Sequence, residues 1–92
     1  MRQIVITRSG GTDVLKITEQ PDPTPAKGEA LIRVRASGIN FADILARQGL
    51  YPDAPKPPMV IGYEVAGTVE AVGPETDTAL VGKAVLATTR FG

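Results

Sequence analysis

Neither cysteine nor histidine occurs among the 92 residues. Disulfides are excluded, and so is every zinc site built from thiolate and imidazole ligands. Ser-His-Asp and Cys-His nucleophilic catalysis within the chain is excluded for the same reason. A metal held by carboxylates alone stays open in principle, but no Asp/Glu cluster at ligand spacing points to one. Charge of one sign is also lacking: ten basic residues balance ten acidic ones, with no basic patch or acidic run to suggest nucleic acid or a membrane surface as partner. Apolar runs are only a few residues long, far short of the ~20 needed for a membrane-spanning helix. The start, Met1-Arg2-Gln3-Ile4, has no apolar core or small-residue cleavage site of a signal peptide, so a cytoplasmic location is expected.

What is present reads as one small, mainly β domain. Gln3 to Thr7 and Val14 to Thr18 are expected strands, separated by the turn signal Ser9-Gly10-Gly11. Pro21, Pro23 and Pro25 deny both helix and central strand to the segment from Gln20 to Lys27, leaving a connecting loop. Glu29 to Ala36 alternates, with Ala30, Ile32, Val34 and Ala36 on one face and Arg33 and Arg35 on the other. That pattern predicts a half-buried strand with one solvated face.

Asn40 to Gln48 carries the helix signals. Asn40 suits the N-cap and Asp43 stands three residues on, as in a capping box. Phe41, Ile44, Leu45 and Gln48 fall at helical spacing, so three apolar side chains share a face. Arg47 suits the last turn, Gly49 the position after the helix, and Pro52 stops its continuation. Pro52 to Pro58 is a stiff loop with four prolines, and Val65 to Val72 and Lys83 to Thr88 are further strands. Several short strands with one brief helix predict a barrel or sandwich core with a helical decoration. No internal repeat is present.

Four segments in order, Ala36-Ser37-Gly38-Ile39-Asn40-Phe41-Ala42-Asp43, Arg47-Gln48-Gly49-Leu50-Tyr51-Pro52, Gly62-Tyr63-Glu64-Val65-Ala66-Gly67 and Val81-Gly82-Lys83-Ala84-Val85, resemble the N-terminal catalytic domain of the medium-chain dehydrogenase/reductase superfamily. The likeness covers essentially the whole chain and lies nearest the zinc-free quinone oxidoreductase branch with its VAT-1-like members. It implies a GroES-like, partly open β-barrel. Zinc alcohol dehydrogenases of that superfamily read Gly-Val-Cys-His-x-Asp and Gly-His-Glu-x-x-Gly at the matching places, where Asn40 replaces the Cys and Tyr63 the His. Two departures stand out. Gly82-Lys83-Ala84-Val85 replaces the usual Gly-Asp-Arg-Val, and Tyr63 replaces a small or varied residue. The resemblance further implies a two-domain parent whose Rossmann coenzyme domain, with its Gly-x-Gly-x-x-Gly loop, is not in this chain.

Each candidate site residue has a structural reading beside the chemical one. Asn40 is explained by capping alone, while the resemblance implies a carboxamide that hydrogen-bonds nicotinamide or ribose of NADPH. Tyr51 reads as a partly buried aromatic with its hydroxyl at the surface, or as a phenolic donor to the enolate left when hydride adds to a conjugated carbonyl; the resemblance implies the second. Asp43 reads as a first-turn carboxylate favoured by the helix dipole. Glu64, at the head of an apolar strand, reads as a buried carboxylate in need of a partner such as Arg47, and as a cleft residue second. Gly67, inside a strand, reads as a bulge or a place of close backbone approach, and Arg33 and Arg35 as a solvated strand face.

The resemblance therefore implies a parent that reduces quinones or other α,β-unsaturated carbonyls with NADPH and without zinc. Asn40 would contact the coenzyme and Tyr51 the substrate. The 92 residues alone are expected to be inactive, because positioning of the hydride donor supplies much of such a rate. The alternative is a non-enzymatic module, either vesicle-associated as in VAT-1-like relatives or a ring-forming co-chaperonin. Apolar surface left open on this domain predicts weak self-association.

Overall fold

The computed structural model describes residues 1–89. Among the described residues, six strands and one α-helix account for the regular structure, with two single turns of 3-10 helix at Thr12–Val14 and Thr78–Leu80. The strands form two open three-stranded antiparallel sheets, as a mainly β, partly open GroES-like architecture requires. The backbone divides into two compact units. One comprises Met1–Pro21, Gly38–Tyr63 and Thr89; the other comprises Asp22–Ser37 and Glu64–Thr88.

In the first unit, β1 (Arg2–Ile6) lies between β2 (Leu15–Glu19) and the two-residue β4 (Met59–Val60). Ile4 sits opposite Ile17, and Ile6 opposite Met59. The core is small: Ile6, Val14, Ala46 and Met59 are buried, with Leu15, Tyr51, Ala54 and Ile61 packed against them. Helix α1 (Phe41–Gln48) is tied to the β1–β2 turn by a reciprocal pair of contacts. The Gly10 N–H donates to the Arg47 carbonyl at 2.9 Å, and Arg47 Nη1 donates to the Gly10 carbonyl at 3.1 Å.

The helix begins and ends as its residues dictate, with Asn40 as N-cap and Gly49 after the last turn at φ 78°, ψ 17°. That left-handed geometry is open to glycine without a Cβ penalty. The face it presents is not the one its apolar spacing suggests. Asp43 and Ala46 are buried, whereas Phe41 is 73% exposed and Ile44 also faces solvent. A two-turn helix can approach a sheet closely through a small side chain such as Ala46, and Asp43 must turn back to reach the backbone it caps.

In the second unit, β3 (Ala30–Ala36) and β6 (Ala84–Thr88) flank β5 (Glu64–Val72). The predicted alternation of β3 is broken by register shifts between Leu31 and Ile32 and between Val34 and Ala36. Leu31 and Ile32 are both half-buried and Val34 is exposed, so the expected in–out pattern is not realised. Gly67 shows why β5 carries a glycine mid-strand: a Cβ there would lie 2.1 Å from the Arg33 carbonyl oxygen. Val69 is buried, and Arg33 and Glu70 form an exposed ion pair across the β3–β5 ladder. The Gln20–Lys27 segment has no regular structure before a turn at Lys27-Gly28, in keeping with its three prolines.

Candidate functional site

The first unit gathers the polar residues that carry chemical interest. Asn40, in extended backbone geometry (φ −105°, ψ 160°), opens α1. Its N–H donates to Asp43 Oδ2 at 2.8 Å, and the Asp43 N–H donates to the Asn40 carbonyl at 3.0 Å. The capping expectation for both residues therefore holds. Beyond that expectation, Asp43 is only 2% exposed, and its Oδ1 is buried without a hydrogen-bond partner among the described residues. An uncompensated buried acceptor is unfavourable by roughly 1–3 kcal/mol. A side chain without that second oxygen would avoid it.

Tyr51 lies in the segment that follows α1, with its ring against the aliphatic core. It meets Tyr63 edge to face, with ring centroids 6.0 Å apart and planes at 76°. Such a pair adds about 0.5–1.5 kcal/mol to what area burial provides, and it fixes ring orientation. The Tyr63 hydroxyl oxygen is buried. Its pKa is pushed up to about 12, first by burial, then by hydrogen bonding to and the charge of Tyr51, then by the carboxylates of Asp43 and Asp53. Tyr63 is thus a neutral phenol throughout the physiological range.

The two residues singled out from sequence each have a neighbour in the first unit: Asn40 bonds Asp43, and Tyr51 packs edge to face on Tyr63. Sequence reasoning missed those neighbours as site residues. Tyr63 was visible only as a departure from a family pattern, and Asp43 only as a cap. Glu64 is not the buried carboxylate expected at the head of β5; it is exposed. Arg47 directs Nη1 at the Gly10 carbonyl. The reason is local, since the C-terminal turn of α1 places the guanidinium beside the β1–β2 turn. Among the described residues no group of three or more His, Cys, Asp or Glu is placed to hold a metal ion. No described helix is long and apolar enough to cross a membrane.

Residues 26–91 match the alcohol dehydrogenase GroES-like domain. The chain belongs to that family. It is 44% identical over 92 residues to the synaptic vesicle membrane protein VAT-1 homolog of Danio rerio, covering 99% of this chain and 19% of the relative. It is 42% identical over 73 residues to the acryloyl-coenzyme A reductase of Sulfurisphaera tokodaii, covering 79% of this chain and 21% of the relative. Among solved structures, the human VAT-1 homolog-like protein superposes with a TM-score of 0.92 at 38% identity, over 99% of this chain and 29% of that one. The Escherichia coli quinone oxidoreductase complexed with NADPH gives 0.85 at 36% identity, over 94% and 26%. The chain spans about a fifth of the length of the curated relatives it matches. The GroES-like reading of the sequence is thereby established, as is its likeness to medium-chain dehydrogenase/reductase proteins that include a quinone oxidoreductase.

Proposed function

We propose that the protein containing this domain is an NADPH-dependent, zinc-independent oxidoreductase that reduces quinones or other α,β-unsaturated carbonyls. The observation that carries this reading is the Tyr51 phenol, oriented by its edge-to-face contact with Tyr63. The two enzyme relatives described above support it: their names specify a quinone and an acryloyl thioester, and both are electrophiles conjugated to a carbonyl.

When bound, NADPH supplies hydride to the β-carbon of the acceptor. The part of this chain is to receive the charge that then develops on the carbonyl oxygen. Tyr51 donates its O–H to that oxygen, stabilising the enolate or hydroquinone anion, and can deliver the proton that completes reduction. Asn40 is half-buried at the N-terminus of α1, between the exposed side chains of Ile39 and Phe41. A partly accessible carboxamide of this kind fits the amide or ribose of the nicotinamide moiety. A separate Rossmann domain provides the dinucleotide site in this reading, so the 92 residues alone show no saturable NADPH binding and no turnover. The protein works in the cytoplasm.

The test is turnover of the full-length protein with NADPH against a panel of quinones and enones. Tyr51→Phe is expected to lower kcat by about 10²-fold, within the usual range for a positioned proton donor. An unchanged kcat in that variant, or no turnover across the panel, sinks the reading. A non-enzymatic role at vesicle membranes is the second reading, supported by the likeness to the synaptic vesicle protein. Weak self-association through exposed Ile39, Phe41 and Leu50 is expected under either, and sedimentation at rising concentration reads it out.

A further inference from the structure

Three contacts fasten the end of α1 to the β1–β2 turn. Arg47, half-buried in the last turn of the helix, donates from Nη1 to the Gly10 carbonyl at 3.1 Å. The Gly10 N–H donates to the Arg47 carbonyl at 2.9 Å. Two positions on, Gly49 lies so close to Ser9 that a Cβ there would stand 2.7 Å from the serine Oγ. The helix does not need the arginine for its own sake. Its last turn is closed by the Gly49 and Leu50 N–H groups, which donate to the Ala46 and Leu45 carbonyls, and lysine or glutamine would have much the same helix propensity.

What the contacts fasten is the support of Tyr51. The chain leaves α1 through Gly49, and the Leu50 N–H still bonds back to the Leu45 carbonyl at 2.8 Å. The helix therefore directs the backbone up to the residue before Tyr51. Just beyond, the Ala54 N–H donates to the Tyr51 carbonyl at 3.1 Å. The Tyr51 ring packs on the cluster of Ile6, Val14, Ala46 and Met59. Ala46 immediately precedes Arg47, and a Cβ on Gly10 would stand 2.9 Å from Val14 Cγ1. The Arg47–Gly10 bonds thus join the two elements that carry Ala46 and Val14. We propose that Arg47 is a positioning residue for Tyr51, its paired bonds with Gly10 fixing where the end of α1 presents the phenol. This rests on the reading of Tyr51 as the donor in carbonyl-conjugated reduction. Arg47 touches neither substrate nor the reacting atoms. A donor works only within about 2.6–3.2 Å of the oxygen it serves, so a shift of helix against turn acts on kcat more than on substrate binding.

The experiment is a double-mutant cycle in the full-length protein with NADPH and either 1,4-benzoquinone or 2-cyclohexen-1-one. Arg47→Met keeps the aliphatic stem and removes the donor. It is expected to lower kcat about 3- to 10-fold with KM changed less than about 2-fold, and to have no further effect in a Tyr51→Phe background. An equal loss in both backgrounds, the mark of a merely structural role, overturns the proposal, as does no loss in either. A second measurement needs no turnover. With ¹³C-labelled tyrosine, the Tyr51 ring resonance, assigned by its disappearance in Tyr51→Phe, is expected to move in Arg47→Met. Arg47→Gln, too short to reach the Gly10 carbonyl, should move it likewise and serves if Arg47→Met does not fold. A Tyr51 signal unmoved in the folded variant overturns the proposal. If the protein reduces nothing in the panel, the reductase reading fails, while the resonance arm still decides whether Arg47 holds Tyr51 in place.

Discussion

The two packing units of this chain are built from the same materials and hold together differently. The unit formed by β1, β2, β4 and α1 has a closed aliphatic cluster of Ile6, Val14, Ala46 and Met59, and it also encloses Asp43 and the Tyr63 hydroxyl. The unit formed by β3, β5 and β6 buries one large apolar side chain, Val69, and leaves Leu86 86% exposed and Val34 exposed. Its cohesion comes from backbone ladders and from the close approach that Gly67 permits. Chemistry follows burial here. Exclusion of water perturbs polar side chains strongly, and the buried Tyr63 hydroxyl belongs to the first unit.

Side-chain truncation should expose this difference most strongly. Ile6 is fully buried in the first unit, so Ile6→Ala is expected to destabilise by about 2–4 kcal/mol through lost transfer energy and the cavity left behind. Val69→Ala in the second unit removes less and is surrounded by less, so about 1–2 kcal/mol is expected. Urea denaturation followed by circular dichroism measures both. Equal losses would mean that the second unit is held by side-chain packing as tightly as the first. Next in size is a backbone test. Gly67→Ala places a methyl group 2.1 Å from the Arg33 carbonyl oxygen, and the ladder must part to admit it. A loss of about 1–3 kcal/mol is expected, with amide exchange accelerated across β3 and β5. Unchanged protection there would show that close approach is not what secures this sheet.

The same contrast explains what the sequence could and could not disclose. Capping is local, and Asn40, Asp43 and Gly49 placed α1 within its actual limits because each acts on its own neighbours. The prolines marked the irregular segments for the same reason. Which side of α1 is buried depends on partners far along the chain, and there the apolar spacing of Phe41 and Ile44 pointed to the wrong side. β4 escaped notice because two residues carry no period. Most of the candidate site was equally non-local. Asn40 and Tyr51 could be named individually, but Tyr63 lies twelve positions beyond Tyr51 and joins it only through tertiary packing. The burial of Asp43 is likewise a property of the fold, since as a residue type it signals no more than a cap.

The smallest expected effect tests whether burial in the first unit reaches the Tyr63 hydroxyl. In the unfolded chain this phenol ionises near 10, and in the folded chain its pKa is pushed up to about 12. Between those values the folded protein retains a proton that the unfolded chain has lost, so stability falls as pH rises. Below about pH 10 both states hold the proton and the contribution is complete; above about pH 12 it is gone. Tyr63→Phe removes the ionisation and should flatten this part of the profile while leaving the ring contact in place. Denaturation midpoints collected from pH 9 upward, wild type against variant, read the difference directly and cancel the alkaline titration of the lysines common to both. Parallel profiles would place the Tyr63 hydroxyl in contact with water, and the first unit would then differ from the second only in its aliphatic core.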